Sequence, residues 1–167
     1  MTPSEKAVYT TEEEHPLAQI KFTKFRAAVK KYGHQGPLNE NHIKAISEEL
    51  KNEKVTQFLL GKSTTDKEHL ILKEENFIFD KGTYDTYMLL MVGFLYCSYE
   101  NQEQHVSDLW LLVNHELHAK VNKGKVEHAI SDLMHIAIDL RLSKLQFNAW
   151  GDKPPPYYFL KCILTIP

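Results

Sequence analysis

Nine histidines are the residues of this sequence that most directly suggest chemistry. Three of them lie in the stretch VNHELHAKVNKGKVEHAI, which runs from Val113 to Ile130. Imidazole and carboxylate groups are common metal ligands, and here Glu116 lies between His115 and His118. The stretch therefore raises the hypothesis of a metal site. It also separates two segments whose apolar residues have helical spacing, which instead favours a loop between helices.

A metal site would need these side chains to converge on one point. The segment HELH (115–118) resembles the helix motif of zinc proteases with one residue missing, so its histidines stand three positions apart instead of four. His128 and His135 lie two turns apart on one predicted helix, near Asp132 and Asp139, and would need ligands from a second helix. The sequence has no Glu-x-x-His pair of the di-iron type. Solvated surface histidines are the favoured interpretation, and a small helical metalloenzyme stays open as an alternative.

Other catalytic signatures are missing from the sequence. It contains no phosphate-binding glycine loop, no G-x-S-x-G motif and no C-x-x-C motif. Cys97 lies in an apolar segment and is predicted to be an inert core thiol. Cys162, beside Lys161, has only that cation to activate it. We therefore expect a protein that is not an enzyme and needs no cofactor, and we consider a small-molecule ligand unlikely.

Composition and charge further narrow the class of protein to which this chain can belong. The chain has 167 residues with a formal net charge of −2, which gives it no broad basic field for nucleic acid. Two cysteines make no disulfide framework, so a reduced, cytoplasmic location is expected. The polar, acidic start of the chain does not have the pattern of a signal peptide. The longest apolar run, Tyr87 to Cys97, is about half the ~20 residues of a membrane span and predicts a buried helix.

The predicted elements make an all-α fold with short loop strands and an extended C-terminal tail. We expect an N-terminal tail over 1–15, a helical domain over 16–142 and a docking tail over 143–167. Asn39 is a candidate helix cap, and Phe77–Phe79 could be a short strand. Apolar spacing predicts helices over Gln19–Lys31, after Asn39, over Glu53–Leu60 and over Tyr84–Cys97. Two further helices are predicted from apolar stripes, the first at Val106, Leu109, Trp110 and Val113 and the second at Val126, Ala129, Ile130, Leu133, Ala137 and Leu140.

The last two stripes flank a loop of twelve residues, Asn114 to Lys125, with Val121 at its eighth position. That arrangement resembles an EF-hand, in which a helix enters a twelve-residue loop, an apolar residue at position eight pairs with a neighbouring loop, and a second helix leaves. Weaker copies place Leu38 and Phe79 at position eight. A generic all-α bundle stays open as an alternative, because helix–turn–helix pairs with this apolar spacing arise in any bundle. The resemblance implies that Val121 pairs through its backbone with Phe79 or, failing that, with Leu38.

The side chains of this loop do not suit calcium. An EF-hand needs oxygen donors at positions 1, 3, 5, 9 and 12 and glycine at position 6. Lys125 puts a cation where a bidentate glutamate should be, and Ala119 stands at position six. The places of the ligands are held by Asn114, Glu116, His118, Asn122 and Lys125. The resemblance therefore implies a calcium-independent loop, with a sensor that has one functional site as an alternative.

The resemblance and the C-terminal tail together predict a binding role. EF-hand pairs act on partner helices, and a degenerate pair could hold one conformation without an ion. The tail contains three consecutive prolines and then an apolar run whose exposure would be costly. We expect other protein subunits as partners, in a cytoskeletal or ciliary assembly by family analogy. The partner-binding candidates are Tyr157, Tyr158, Phe159, Leu160, Ile163 and Leu164.

Overall fold

The computed structural model describes residues 15–34, 36–60, 78–114, 118 and 120–142, with side chains as far as residue 137. This part of the chain is mostly helical, with one small sheet, so the predicted helical class is confirmed. Its helices are α1 (Phe22–Gly33), α2 (Glu40–Leu50), α3 (Glu53–Leu60), α4 (Thr86–Tyr96), α5 (Gln102–Val113) and α6 (Lys123–Leu142), and its strands are β1 (Leu38–Asn39), β2 (Phe79–Asp80) and β3 (Thr83–Tyr84). None of these helices has the length and apolar character needed to cross a membrane.

Several helices begin at polar side-chain caps, and the sequence predicts one of these caps, Asn39. Asn39 accepts a hydrogen bond from the backbone N–H of His42, whose ring accepts one in return from the backbone of Asn39. This reciprocal arrangement is a capping box, and it confirms the predicted start of α2. Asp85 and Asn101 cap α4 and α5, each through a side-chain oxygen that accepts a hydrogen bond from a backbone N–H. The boundaries of these helices therefore follow from local chemistry.

The sheet has the order β1–β3–β2, and both of its pairs are antiparallel. Tyr84, on the central strand, pairs with Leu38 on one side and with Phe79 on the other. The predicted pairing of Val121 with Phe79 or Leu38 is therefore wrong. Val121 lies in neither a strand nor a helix, just before α6 begins. The residue that pairs with both Leu38 and Phe79 is Tyr84, at the centre of the sheet.

Helix α4 forms the middle of the core, as its apolar sequence predicts. Its residues from Leu89 to Phe94 are all buried, and it packs against α1, α5 and α6. Gly93 faces the ring of Phe25 on α1, and a β-carbon built at Gly93 would lie 2.3 Å from two atoms of that ring. Helix α2 contacts both α1 and α3 and extends the core to the other side. The missing side chain of Gly93 thus lets α1 and α4 approach closely.

Helix α5 is rotated relative to the apolar stripe that its sequence predicts. Leu109 and Val113 are partly buried as expected, but Val106 and Trp110 keep 48% and 46% of their surface exposed. Asp108 is completely buried. On α6, Ala129, Leu133 and Ala137 are buried, whereas Ile130 is 38% exposed. The expectation that the stripe on α5 faces the core is therefore wrong for two of its four residues.

The start of the domain also differs from the predicted boundary between residues 15 and 16. His15, which was expected to end the N-terminal tail, is buried. Its ring stacks on Tyr96 at a centroid distance of 4.0 Å and meets the edge of Phe58 at 4.8 Å. The backbone N–H of Leu17 donates to Nδ1 of His15 at 3.1 Å. Packing thus includes His15 in the core, while residues 1–14 lie outside the described part of the chain.

Candidate functional site

The loop between α5 and α6 is closed at its start by one asparagine. Asn114 is buried at the end of α5, and its side chain bonds both backbone groups of His118. Nδ2 of Asn114 donates to the carbonyl oxygen of His118 at 2.7 Å, and Oδ1 accepts from its N–H at 2.9 Å. The side-chain oxygen at the first position of the loop therefore accepts a hydrogen bond from the protein backbone.

A second asparagine serves the end of the same loop. Oδ1 of Asn122 accepts a hydrogen bond of 2.8 Å from the backbone N–H of Gly124 and caps α6. Lys125 is exposed in the first turn of that helix, and Lys123 pairs with Glu127 at 3.2 Å. Glu116, the carboxylate predicted at position three, lies outside the described residues. The described part of the loop is therefore held by hydrogen bonds between two asparagine side chains and the backbone.

The histidines on α6 are exposed, and each lies on the surface of one helix. Nε2 of His128 is 3.6 Å from Oδ2 of Asp132, one turn away. Asp132 also accepts a hydrogen bond from the hydroxyl of Tyr87 on α4; burial, followed by the charges of nearby carboxylates, raises the pKa of this tyrosine to about 12. Within the described ranges, no group of three or more His, Cys, Asp or Glu side chains could hold a metal ion. Asp132 here connects two helices, and His115 lies outside the described residues.

The thiol predicted to be inert does lie in the core. Cys97 follows the last residue of α4 and is buried, and this burial raises the pKa of its thiol above the ordinary range. A thiol that stays protonated is a poor nucleophile and a poor metal ligand. Cys162 lies outside the described residues.

A buried ion pair between α1 and α5 was not predicted from the sequence. Nη1 of Arg26, on α1, lies 2.5 Å from Oδ1 of Asp108, which has no exposed surface. Nε2 of Gln104 donates to Oδ2 of the same carboxylate at 2.9 Å. Gln104 and Asp108 stand four positions apart, which is a weak signal of a shared helix face, but Arg26 is 82 positions away from Asp108. The pair fixes the rotation of α5 against α1.

His105 lies beside this pair on an aromatic cluster. Its ring stacks on Tyr99 at a centroid distance of 4.1 Å and contacts Phe94 at 4.6 Å. Although the residue as a whole is exposed, these rings remove water from the imidazole, and that desolvation lowers its pKa against the opposing effect of Asp108. The neutral ring is therefore favoured at pH 7, and His105 acts as one more aromatic contact between α5 and the end of α4.

The opposite side of α5 carries an exposed apolar pair. Val106 and Trp110 lie one turn apart and are therefore neighbours on one face of the helix. Glu103 and Ser107 are exposed beside them. We call these four residues the α5 surface. Single exposed apolar residues are common on monomeric proteins, and here two neighbouring ones form a small apolar patch on α5.

Comparison with protein-family models, with curated protein sequences and with solved structures finds no match for this chain. Its function must therefore be inferred from its own residues. The predicted partner-binding residues of the tail, from Tyr157 to Leu164, lie outside the described part of the chain.

Proposed function

We propose that this chain is a non-enzymatic adaptor subunit that binds other proteins through a calcium-independent, EF-hand-like helical domain and a C-terminal tail. The observation that carries the proposal is the loop after α5, because the oxygens of Asn114 and Asn122 bond the backbone where an EF-hand would present them to an ion. A loop closed in this way holds one conformation without a signal. Such a domain suits a structural role in a cytoplasmic assembly, which family analogy suggests is cytoskeletal or ciliary.

The sheet gives the EF-hand-like interpretation further support. Strand β1 lies between α1 and α2, and β3 lies directly before α4, so each precedes the exiting helix of one unit. Their antiparallel pairing joins two successive units through their loops, as position-eight residues do in paired hands. The residue of this second unit that pairs with Leu38 is Tyr84, whereas the sequence placed Phe79 at position eight. Its hydroxyl donates a hydrogen bond of 2.6 Å to the carbonyl of Leu59, which ties the second loop to α3.

The purified chain is expected to bind no calcium below millimolar concentration. The physical reason is that Lys125 replaces a bidentate carboxylate with a positive charge, while the two asparagine oxygens are already hydrogen-bonded. Thermal melting in calcium and in chelator should therefore coincide. An Asn114→Ala variant provides the control: its melting temperature should fall equally in both conditions, since it loses backbone hydrogen bonds and no ion. Stabilisation by several degrees at micromolar calcium would favour a calcium sensor instead.

Deleting residues 154–167 is expected to leave the helical domain folded and to remove the chain from its assembly. The deleted segment is rich in apolar side chains, each worth roughly 1.5–3 kcal/mol when buried, so an intact tail should bind a surface. Gel filtration of the tagged chain from cell extract should show a large complex for the intact chain and a monomer for the truncated one. Circular dichroism should show nearly unchanged melting.

A Phe159→Ser/Ile163→Ser variant separates the loss of apolar contacts from the loss of chain length. It keeps the full length of the tail. Like the deletion, it should not be incorporated into the assembly. If the truncated chain unfolds or aggregates while the intact chain is a well-behaved monomer, the tail belongs to the core and the adaptor proposal is wrong.

A further inference from the structure

The α5 surface is the part of the described domain where apolar side chains are most open to solvent. Val106 and Trp110 are the two most exposed of its large hydrophobic residues, and they lie next to each other. The other face of α5 is fixed to the domain by Asp108 and His105, so rotation of the helix cannot bury this pair. An external segment is needed to cover it.

We propose that residues 157–166 of the same chain cover the α5 surface whenever no partner subunit is bound. This inference rests on the proposed function, because it assigns a resting place to the tail that the adaptor uses for binding. The contact would be autoinhibitory, since a partner must compete with Val106 and Trp110 for the same apolar side chains of the tail.

The composition of the two surfaces is complementary. The segment YYFLKCILTI contains one charged residue, Lys161, and the α5 surface also contains one, Glu103, of opposite sign. The remaining residues of the α5 surface are apolar or small and uncharged. A tryptophan half exposed on a helix offers a large apolar contact to aromatic and aliphatic residues of this kind. The single ion pair would lie at the edge, where it adds little affinity but helps to set the direction of the segment.

The chain length allows the contact within one molecule. Helix α6 ends at Leu142, and residues 143–156 connect it to the apolar segment. Fully extended, this connection would span up to about 46 Å. A domain of this size has a radius of gyration of about 14 Å, so a connection of this length can reach across most of the domain surface.

Tethering also favours the segment of the same chain over that of a second copy. A short connection gives the tethered segment an effective concentration on the order of millimolar. A second copy at micromolar concentration competes poorly against this. A weak contact is sufficient to keep the tail on its own domain, and a tighter partner can still remove it.

Tryptophan fluorescence tests the proposal in the full-length chain. The sequence has two tryptophans, so a Trp150→Phe background leaves Trp110 as the only reporter. In this background, replacing Phe159 and Ile163 by glutamate should shift the emission of Trp110 to the red and increase its quenching by acrylamide. A Val106→Glu variant should give the same change, while Ile130→Glu, at an exposed apolar residue of α6, should not. Circular dichroism should show unchanged helix content in all variants.

Three outcomes of this experiment would contradict the proposed contact. If Trp110 has the same emission and quenching with and without the tail substitutions, the α5 surface does not hold the tail. If the difference depends on protein concentration, the occupant comes from a second copy and the proposal is wrong. If the tail variant loses helix content, the tail is part of the core, which also overturns it.

The same variants separate this inference from the proposed function. If the tail shields Trp110 but is not needed for incorporation into the assembly, the adaptor proposal fails while the contact stands. If incorporation needs the tail but Trp110 is indifferent to it, only the contact fails.

Discussion

Replacing Asp108 by alanine is expected to lower the free energy of unfolding by about 3 kcal/mol. Removing one member of a buried ion pair costs about 3–5 kcal/mol, because the other charge loses its partner without regaining water. The lower end applies here, since the side chain of Arg26 keeps 21% of its surface exposed and can recover part of its hydration. Gln104 also loses the acceptor of its side-chain hydrogen bond. Urea denaturation followed by circular dichroism measures the difference.

An exposed ion pair of the same protein provides the matched control. Lys21 and Glu100 form a contact of 2.5 Å, but both side chains are 60% exposed. Replacing Glu100 by alanine should therefore cost less than about 1 kcal/mol. An Arg26→Met/Asp108→Leu double variant should recover much of the stability, because an apolar pair of similar volume leaves no buried charge. Equal costs for Asp108→Ala and Glu100→Ala would show that the buried pair does not stabilise α5 against α1.

Replacing Gly93 by alanine is expected to destabilise the protein by about 2 kcal/mol, although alanine is the better helix former. In an exposed helix interior the substitution would gain roughly 1 kcal/mol. Here the new β-carbon would lie 2.3 Å from two ring atoms of Phe25, and that ring is itself completely buried. Overpacking of this kind typically costs about 1–3 kcal/mol and occasionally more, so steric strain outweighs helix propensity.

Gly124, in the first turn of α6, provides the comparison. It is exposed, and a β-carbon there would meet only the capping oxygen of Asn122 at 3.3 Å, which needs to shift by no more than a few tenths of an ångström. Gly124→Ala should therefore be close to neutral. A Phe25→Leu substitution removes ring atoms, so the Gly93→Ala/Phe25→Leu double variant should be more stable than the sum of the single effects predicts. If Gly93→Ala is neutral or stabilising in thermal melts, α1 and α4 are not as closely packed as described.

Local sequence determined the helices of this protein and most of their ends. Asn39 caps α2 because a side-chain oxygen satisfies backbone N–H groups that the helix itself leaves unpaired. Helix α3 occupies the predicted range Glu53–Leu60, and the uniformly apolar run after Tyr87 became the buried helix α4. These features depend on residues within one or two turns, so a sequence pattern contains their causes. The spacing also identified Asn114 and Asn122 as polar positions of the loop after α5. It did not identify the backbone groups to which they bond.

Only the tertiary structure decided which surfaces meet. The apolar stripe of α5 predicts that Trp110 faces the core, but the charge of Arg26 draws Asp108 inward and turns Trp110 to the solvent. The fold likewise decided that Tyr84, and not Val121, is the strand partner of Leu38, and that Gly93 stands where α1 approaches α4. Each outcome is a contact between residues far apart in the chain. Spacing along one helix cannot specify such a contact, because its energy depends on the partner that the fold brings to it.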